Sequence, residues 1–154
     1  MTPRLVAWPV LLAAAAALAC GKDATAQRYV TPEQGSAERR DLLDALRPLA
    51  VWSFGAPIEF VVLDLRLAGD VAFASVEAQR PGGGAIDIAL APIVARDGEE
   101  PGLIDGPRLQ ALMQKSGDMW VPVQHSVGPT DVWYSWPPYC ETWAAVLPEY
   151  CDDG

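Results

Sequence analysis

The chain has 154 residues, with 11 Lys and Arg against 20 Asp and Glu and a net charge of −9 at pH 7. Acidic and basic residues are interspersed, Arg39 and Arg40 form the one adjacent basic pair, and no basic stripe is available for nucleic acid. About 130 residues remain once the apolar N-terminus is set aside, enough for one domain with one core.

That N-terminus has the layout of a secretory signal peptide. Arg4 supplies a positive start, Leu5 to Leu18 an apolar stretch, and Ala17-Leu18-Ala19 a small-residue cleavage site. The stretch is shorter than the roughly 20 apolar residues that cross a bilayer. With Cys20 directly after it, the run Leu18-Ala19-Cys20-Gly21 resembles the lipobox of bacterial lipoproteins. The resemblance implies cleavage before Cys20, a lipid on that cysteine, and, with Gly21 rather than Asp following it, residence at the outer membrane. Ala24-Thr25-Ala26 offers a competing site. Cleavage there would remove Cys20 and release a soluble periplasmic or secreted protein. The expected division is a signal over residues 1–19, a tether over 20–35, and a single domain over 36–154. Removal of Arg4 leaves the mature chain more acidic, so membrane attachment is expected through the lipid and not through a charged patch.

Two cysteines remain, Cys140 and Cys151, and an even number in an exported protein reads as a disulfide. The short loop it closes gives roughly 3 kcal/mol of stabilisation in the chain-entropy picture. One histidine and the absence of a CxxC motif argue against a metal site, and no motif implies a cofactor.

Past the tether, Ser36 suits a helix N-cap, and Leu42, Leu43, Leu46 and Leu49 recur at helical spacing. Pro48 is expected to end or kink this helix, with Gly55 as its outer limit. The period then changes to two. Ile58 to Leu67 places Phe60, Val62, Asp64 and Arg66 on one face and Val61, Leu63, Leu65 and Leu67 on the other. Gly69-Asp70 turns the chain, and Val71 to Gln79 returns as the second strand of an antiparallel hairpin. Pro81 to Gly84 is a connector, without the following Lys of a phosphate-binding loop. A short apolar run from Ile86 to Val94 and a polar loop lead to a second hairpin. Its strands, Arg108 to Lys115 and Met119 to Val127, flank Ser116-Gly117-Asp118, and Val121, Val123, His125 and Val127 are expected on one face. Thr130 and Asp131 are placed to cap a short helix ahead of a segment rich in Trp, Tyr and Pro.

One helix followed by paired hairpins predicts an α+β fold, with an N-terminal helix packed on a curved antiparallel sheet and an aromatic-rich, disulfide-braced C-terminal cap. In element order, residues 36 to 127 resemble the cystatin-like and NTF2-like rolls, in which a sheet wraps a long N-terminal helix. Segments such as Leu67-Ala68-Gly69-Asp70-Val71-Ala72-Phe73 are also similar to small exported bacterial proteins of no assigned function.

Three constellations are candidates for function. His125 is the lone imidazole, and Asp131 is a carboxylate that would set its tautomer. An NTF2-like pocket often hosts such a pair, so the resemblance admits an enzyme or small-ligand site lined by the sheet. The bland reading is a histidine satisfied at a strand end, and no G-x-S-x-G elbow accompanies it. Asp64, Arg66, Glu59 and Glu77 alternate with apolar residues, which is the pattern of a wet sheet face. The third is the tail. Trp133, Tyr134, Trp136 and Tyr139 precede Trp143 and Tyr150 within 18 residues, interleaved with Cys140 and Cys151. Such aromatics either form a satellite core under the cap or present a binding surface. The leading expectation is an exported, lipid-anchored envelope protein that binds a protein or cell-wall glycan partner through Trp133, Tyr134, Trp136 and Tyr139, without catalysis.

Overall fold

A computed structural model describes residues 29–151. The segment expected to be a signal, Cys20, residues 21–28 of the expected tether and residues 152–154 lie outside the described residues.

The first helix, α1, runs Ala37–Phe54. Ser36 caps it by accepting the Arg39 N–H at 3.2 Å. Leu42, Leu46, Ala50, Ser53 and Phe54 form its buried stripe, at the three-to-four residue spacing that one helix face requires. Pro48 stands inside this helix and does not end it. A proline removes one hydrogen bond and crowds one carbonyl, but the turn after it carries Ala50 and Phe54, both fully buried, and their packing keeps the last turn in place. Gly55 stops the helix at φ +77°, returning its N–H to the Val51 carbonyl. The carbonyls left open at this end are taken by the Arg80 guanidinium, which donates to Phe54, Gly55 and Pro57.

The strands β1 (Glu59–Ala68), β2 (Val71–Gln79), β3 (Arg108–Ser116) and β4 (Met119–Val127) form an antiparallel sheet in the order β1-β2-β3-β4. Between β2 and β3 lies the short helix α2 (Pro92–Asp97), across the junction of the apolar run from Ile86 to Val94 and the polar loop that follows it. Ahead of α1, Val30 exchanges two backbone hydrogen bonds of 2.8 Å with Leu67, and Pro32 is buried. Val30 and Pro32 are thus held against the rest of the fold ahead of α1.

The sheet is covered on both faces. On one, α1 meets Leu65, Ala72, Ala74, Val76, Leu109, Ala111 and Met113. The alanines let the helix sit close to the strands. On the other, Phe73 and Leu112 carry the C-terminal segment through Trp143, Val146 and Leu147. Successive residues of β2 and β3 thus serve two separate clusters, as the period of a strand demands.

Two β-bulges overturn the strict alternation expected for the edge strands. In β1, Val62 pairs with Val76 but Asp64 pairs with Ser75, leaving Leu63 as an extra residue. Phe60 and Val62 pack toward α1, and past the bulge so do Leu65 and Leu67. Asp64 and Arg66 are thereby switched to the opposite face. In β4, Leu112 pairs with Gln124 and Met113 with Pro122, which leaves Val123 extra. Trp120 and Val127 both join the helix-side cluster, so Val121 and Val123 do not share a face with His125 and Val127. Pro122 and the bulge also blunt this edge against pairing with another strand.

Candidate functional site

The C-terminal cap starts where Gly128 turns the chain off β4. Its φ of +56° is one that side-chain-bearing residues avoid, and a Cβ there would clash with Ile104 Cγ2. The Gly128 N–H donates to the Arg108 carbonyl at 2.7 Å, and its own carbonyl accepts from Asp105. The chain then crosses the outer face of the sheet in short pieces: 3₁₀ turns at Trp133–Ser135 and Pro137–Tyr139, then α3 (Cys140–Trp143) and α4 (Pro148–Cys151). Prolines at the starts of the second turn and of α4 fit positions that need no backbone donor. Thr130 and Asp131 do not cap the first turn; its N-terminal residue is Val132, with no side-chain cap. Cys140 and Cys151 form the expected disulfide, with Cα atoms 5.5 Å apart.

Pieces this short cannot hold themselves, and three anchors fix them to the sheet. Trp143 is 6% exposed, and its indole N–H donates to the Met113 carbonyl at 2.9 Å, beside the β3–β4 bulge. Trp133 donates its indole N–H to Gln110 Oε1 at 3.0 Å, and Gln110 donates in turn to Ser75 Oγ at 3.4 Å. Both polar side chains beneath the cap are thus satisfied, as burial requires.

The third anchor is Arg66, whose side chain is only 14% exposed. It donates to Asp64 at 2.8 Å, to Glu149 at 2.6 Å and to the Val146 carbonyl at 3.0 Å. Its guanidinium also lies 4.9 Å from the Tyr29 ring centre and 5.6 Å from that of Phe73. Burial works to lower its pKa, but the hydrogen bond it donates to Glu149 and the charges of Asp64 and Glu149 prevail, and the pKa is raised. The wet face expected for Asp64 and Arg66 is therefore an ion-pair clasp under the cap. The bulge at Leu63 is the reason. Glu59 serves a loop instead, accepting the Gly82 N–H at 3.2 Å.

The aromatic rings form one connected array. Trp136 meets Tyr139 at 5.2 Å, and Tyr139 meets Trp133 at 5.8 Å and Trp143 at 6.0 Å, all edge-to-face. Trp133 meets Tyr134, which contacts Phe73 at 4.7 Å and Tyr150 at 5.3 Å. Burial, and then the hydrogen bond with Tyr150, push the Tyr134 phenol up to about 12. Of the four aromatic residues singled out from the sequence, Trp133, Tyr134 and Tyr139 are half-buried in this array. Trp136 is different. Its side chain is 58% exposed, flanked by exposed Pro137, Pro138 and Val132, with Tyr139 bracing it from behind.

His125 and Asp131 are both exposed, and no hydrogen bond joins them among the described residues. Shallow clefts mark the surface of the described residues. One of about 390 Å³ lies between Val30, Pro32, Ser36 and Leu67; one of about 260 Å³ lies between Asp41, Asp44, Asp118 and Trp120; one of about 380 Å³ lies along Gln114, Lys115, Val121 and Val123. His125 lines none of them. Among the described residues, no three metal-ligating side chains converge, and no helix is long and apolar enough to cross a membrane.

Arg66, Glu149, Gln110 and Tyr29 were not singled out from the sequence as parts of this region. Arg66 carried a signal, since an arginine between Leu65 and Leu67 in an apolar strand needs a partner. That partner stands 83 positions away. Comparison with family models, curated proteins and solved structures gives no match for this chain.

Proposed function

We propose that this chain is a small exported protein of the bacterial envelope, anchored by lipid on Cys20, that acts by binding a partner and performs no catalysis. The observation that carries the reading is the display of Trp136 on a platform locked by a disulfide, two indole hydrogen bonds and the Arg66 clasp. A ring held this way has little freedom left to lose on association, and exposed tryptophans on rigid supports are typical binding hot spots. Trp133, Tyr134 and Tyr139 support the site by holding Trp136 in place. The exposed, unpaired His125 and Asp131 lend no support to acid–base chemistry. The lipobox-like run supports the anchor and the periplasmic side of the outer membrane as the location; an envelope protein or cell-wall glycan is the partner that this location supplies.

The test is co-sedimentation of the full-length protein with purified cell-wall glycan, paired with crosslinking in intact cells from a photoreactive residue in place of the exposed neighbour Pro138. The chain with Trp136 intact is expected to sediment with the glycan or to crosslink to a discrete protein, and W136A to lose the binding while keeping its cooperative unfolding transition. Binding that survives W136A removes the cap from the function.

A further inference from the structure

The cap and the start of the described chain lie together. Tyr29 packs on the cap cluster of Phe73, Leu112, Trp143, Val146 and Leu147, and its ring takes the Arg66 guanidinium. Val30 is then fastened to Leu67. Eight residues, 21 to 28, separate Cys20 from this attachment. A chain of that length reaches roughly 30 Å when fully extended. A bilayer holding a lipidated Cys20 therefore lies within that distance of the point where Tyr29 meets the cap.

The side chains displayed on the cap are of the kind that bilayer surfaces attract. Trp136, Val132 and Tyr150 are exposed there. Tryptophan and tyrosine concentrate at the membrane–water boundary, where an apolar ring and a polar edge both find partners. The second displayed indole, Trp52, is 64% exposed but stands on α1, on the other side of the sheet, with the Arg96 guanidinium 4.0 Å from its ring centre. The two tryptophans thus mark opposite faces of the domain.

We infer that the cap is the membrane-facing side of the domain and that Trp136 rests in the headgroup layer of the bilayer that holds Cys20. The inference rests on the lipid-anchored reading above and goes beyond it, adding the lipid surface as the contact that the cap makes when no protein or glycan occupies it. The acidic chain selects zwitterionic phospholipid, since anionic headgroups would repel it.

The experiment uses the full-length protein expressed with its own signal, its lipid established by intact mass. The protein is placed in phosphatidylethanolamine–phosphatidylcholine vesicles whose acyl chains carry bromine next to the headgroups. Bromine is expected to quench the wild-type tryptophan fluorescence, W136F to lose most of that quenching, and W52F to retain it. W136Y, which also keeps a ring against Tyr139, repeats the measurement if W136F does not fold. Full quenching in the Trp136 variants, or its loss in W52F, overturns the inference and leaves the lipid-anchored reading standing, with the cap free for a protein or glycan. A mass without lipid overturns both together.

Discussion

Arg66 in β1 and Glu149 in α4 stand 83 positions apart in the chain, and their side chains meet at 2.6 Å. With Asp64 and the Val146 carbonyl on the same guanidinium, this contact ties the C-terminal turn to the sheet. The arginine is mostly enclosed and Glu149 is partly open to solvent, so the pair stands between an exposed ion pair, worth about 0–1 kcal/mol, and a fully enclosed one, where removal of one partner costs about 3–5 kcal/mol. A double-mutant cycle of R66M and E149Q, followed by denaturant unfolding, is expected to give a coupling of about 1 kcal/mol. R66M alone should cost about 2–3 kcal/mol, because it also leaves Asp64 and the Val146 carbonyl without their donor. A coupling of zero would mean that Glu149 contributes nothing to holding the cap.

The tryptophans of the cap should separate by stability. W143A removes a buried ring and its hydrogen bond to Met113, and an expected loss of about 3–5 kcal/mol follows from comparable core truncations. W136A removes a mostly exposed ring and should cost less than about 1 kcal/mol. Equal losses in the two variants would place Trp136 in the core and remove it as a binding residue.

Two glycines of positive φ provide a matched comparison. At Gly117, φ +60°, a Cβ would meet nothing within 4 Å, so G117A should cost only the backbone penalty of about 1–2 kcal/mol. At Gly128 the same penalty is joined by the clash with Ile104 and with the Asp105 backbone. G128A should therefore lose about 1–3 kcal/mol more than G117A, read as a difference in denaturation midpoints at constant slope.

The Tyr134 phenol, raised to about 12, makes stability fall at alkaline pH. The unfolded tyrosine ionises near its ordinary value of about 10, while the folded one keeps its proton. Between these values the native state binds more protons than the unfolded state, so stability is full below pH 10 and declines as pH rises toward 12. Y134F should flatten that decline in urea titrations at stepped pH. An unchanged slope would assign it to other groups.

Much of the fold was legible because its signals are local. The Ser36 cap, the spacing of Leu42 and Leu46, and the turns at Gly69-Asp70 and Gly117-Asp118 each act within a few residues, and the elements they predict are present. The disulfide was legible from cysteine number alone. What escaped was non-local. Only one bulge leaves a trace in the sequence: Pro122, next to the extra Val123, marks an edge strand or a bulge, whereas Leu63 looks like any other strand residue. One inserted residue inverts everything after it, which is why Arg66 read as solvent-facing and instead lies under the cap. Pro48 misled in the same manner: its local penalty is real, but burial of Ala50 and Phe54 against the sheet outweighs it. The aromatic candidates were found from composition, yet composition could not sort the displayed Trp136 from the half-buried Trp133 and the buried Trp143. That sorting follows from which rings reach Gln110 and Met113.

By itself, the sequence determined the helix, the two hairpins, the bridged cysteines and the concentration of aromatic rings at the C-terminus. These depend on backbone preference, residue periodicity and covalent chemistry, which act over short stretches of chain. Only the tertiary structure decided that the aromatic segment covers the face of the sheet opposite α1, that Arg66 holds it there, and that Tyr29 joins it from the other end of the domain. Those contacts link residues 29, 66 and 149, and nothing in any one of these neighbourhoods encodes the others. Their meeting is set by strand register and by the burial of two separate apolar faces, both of which exist only once the sheet has formed.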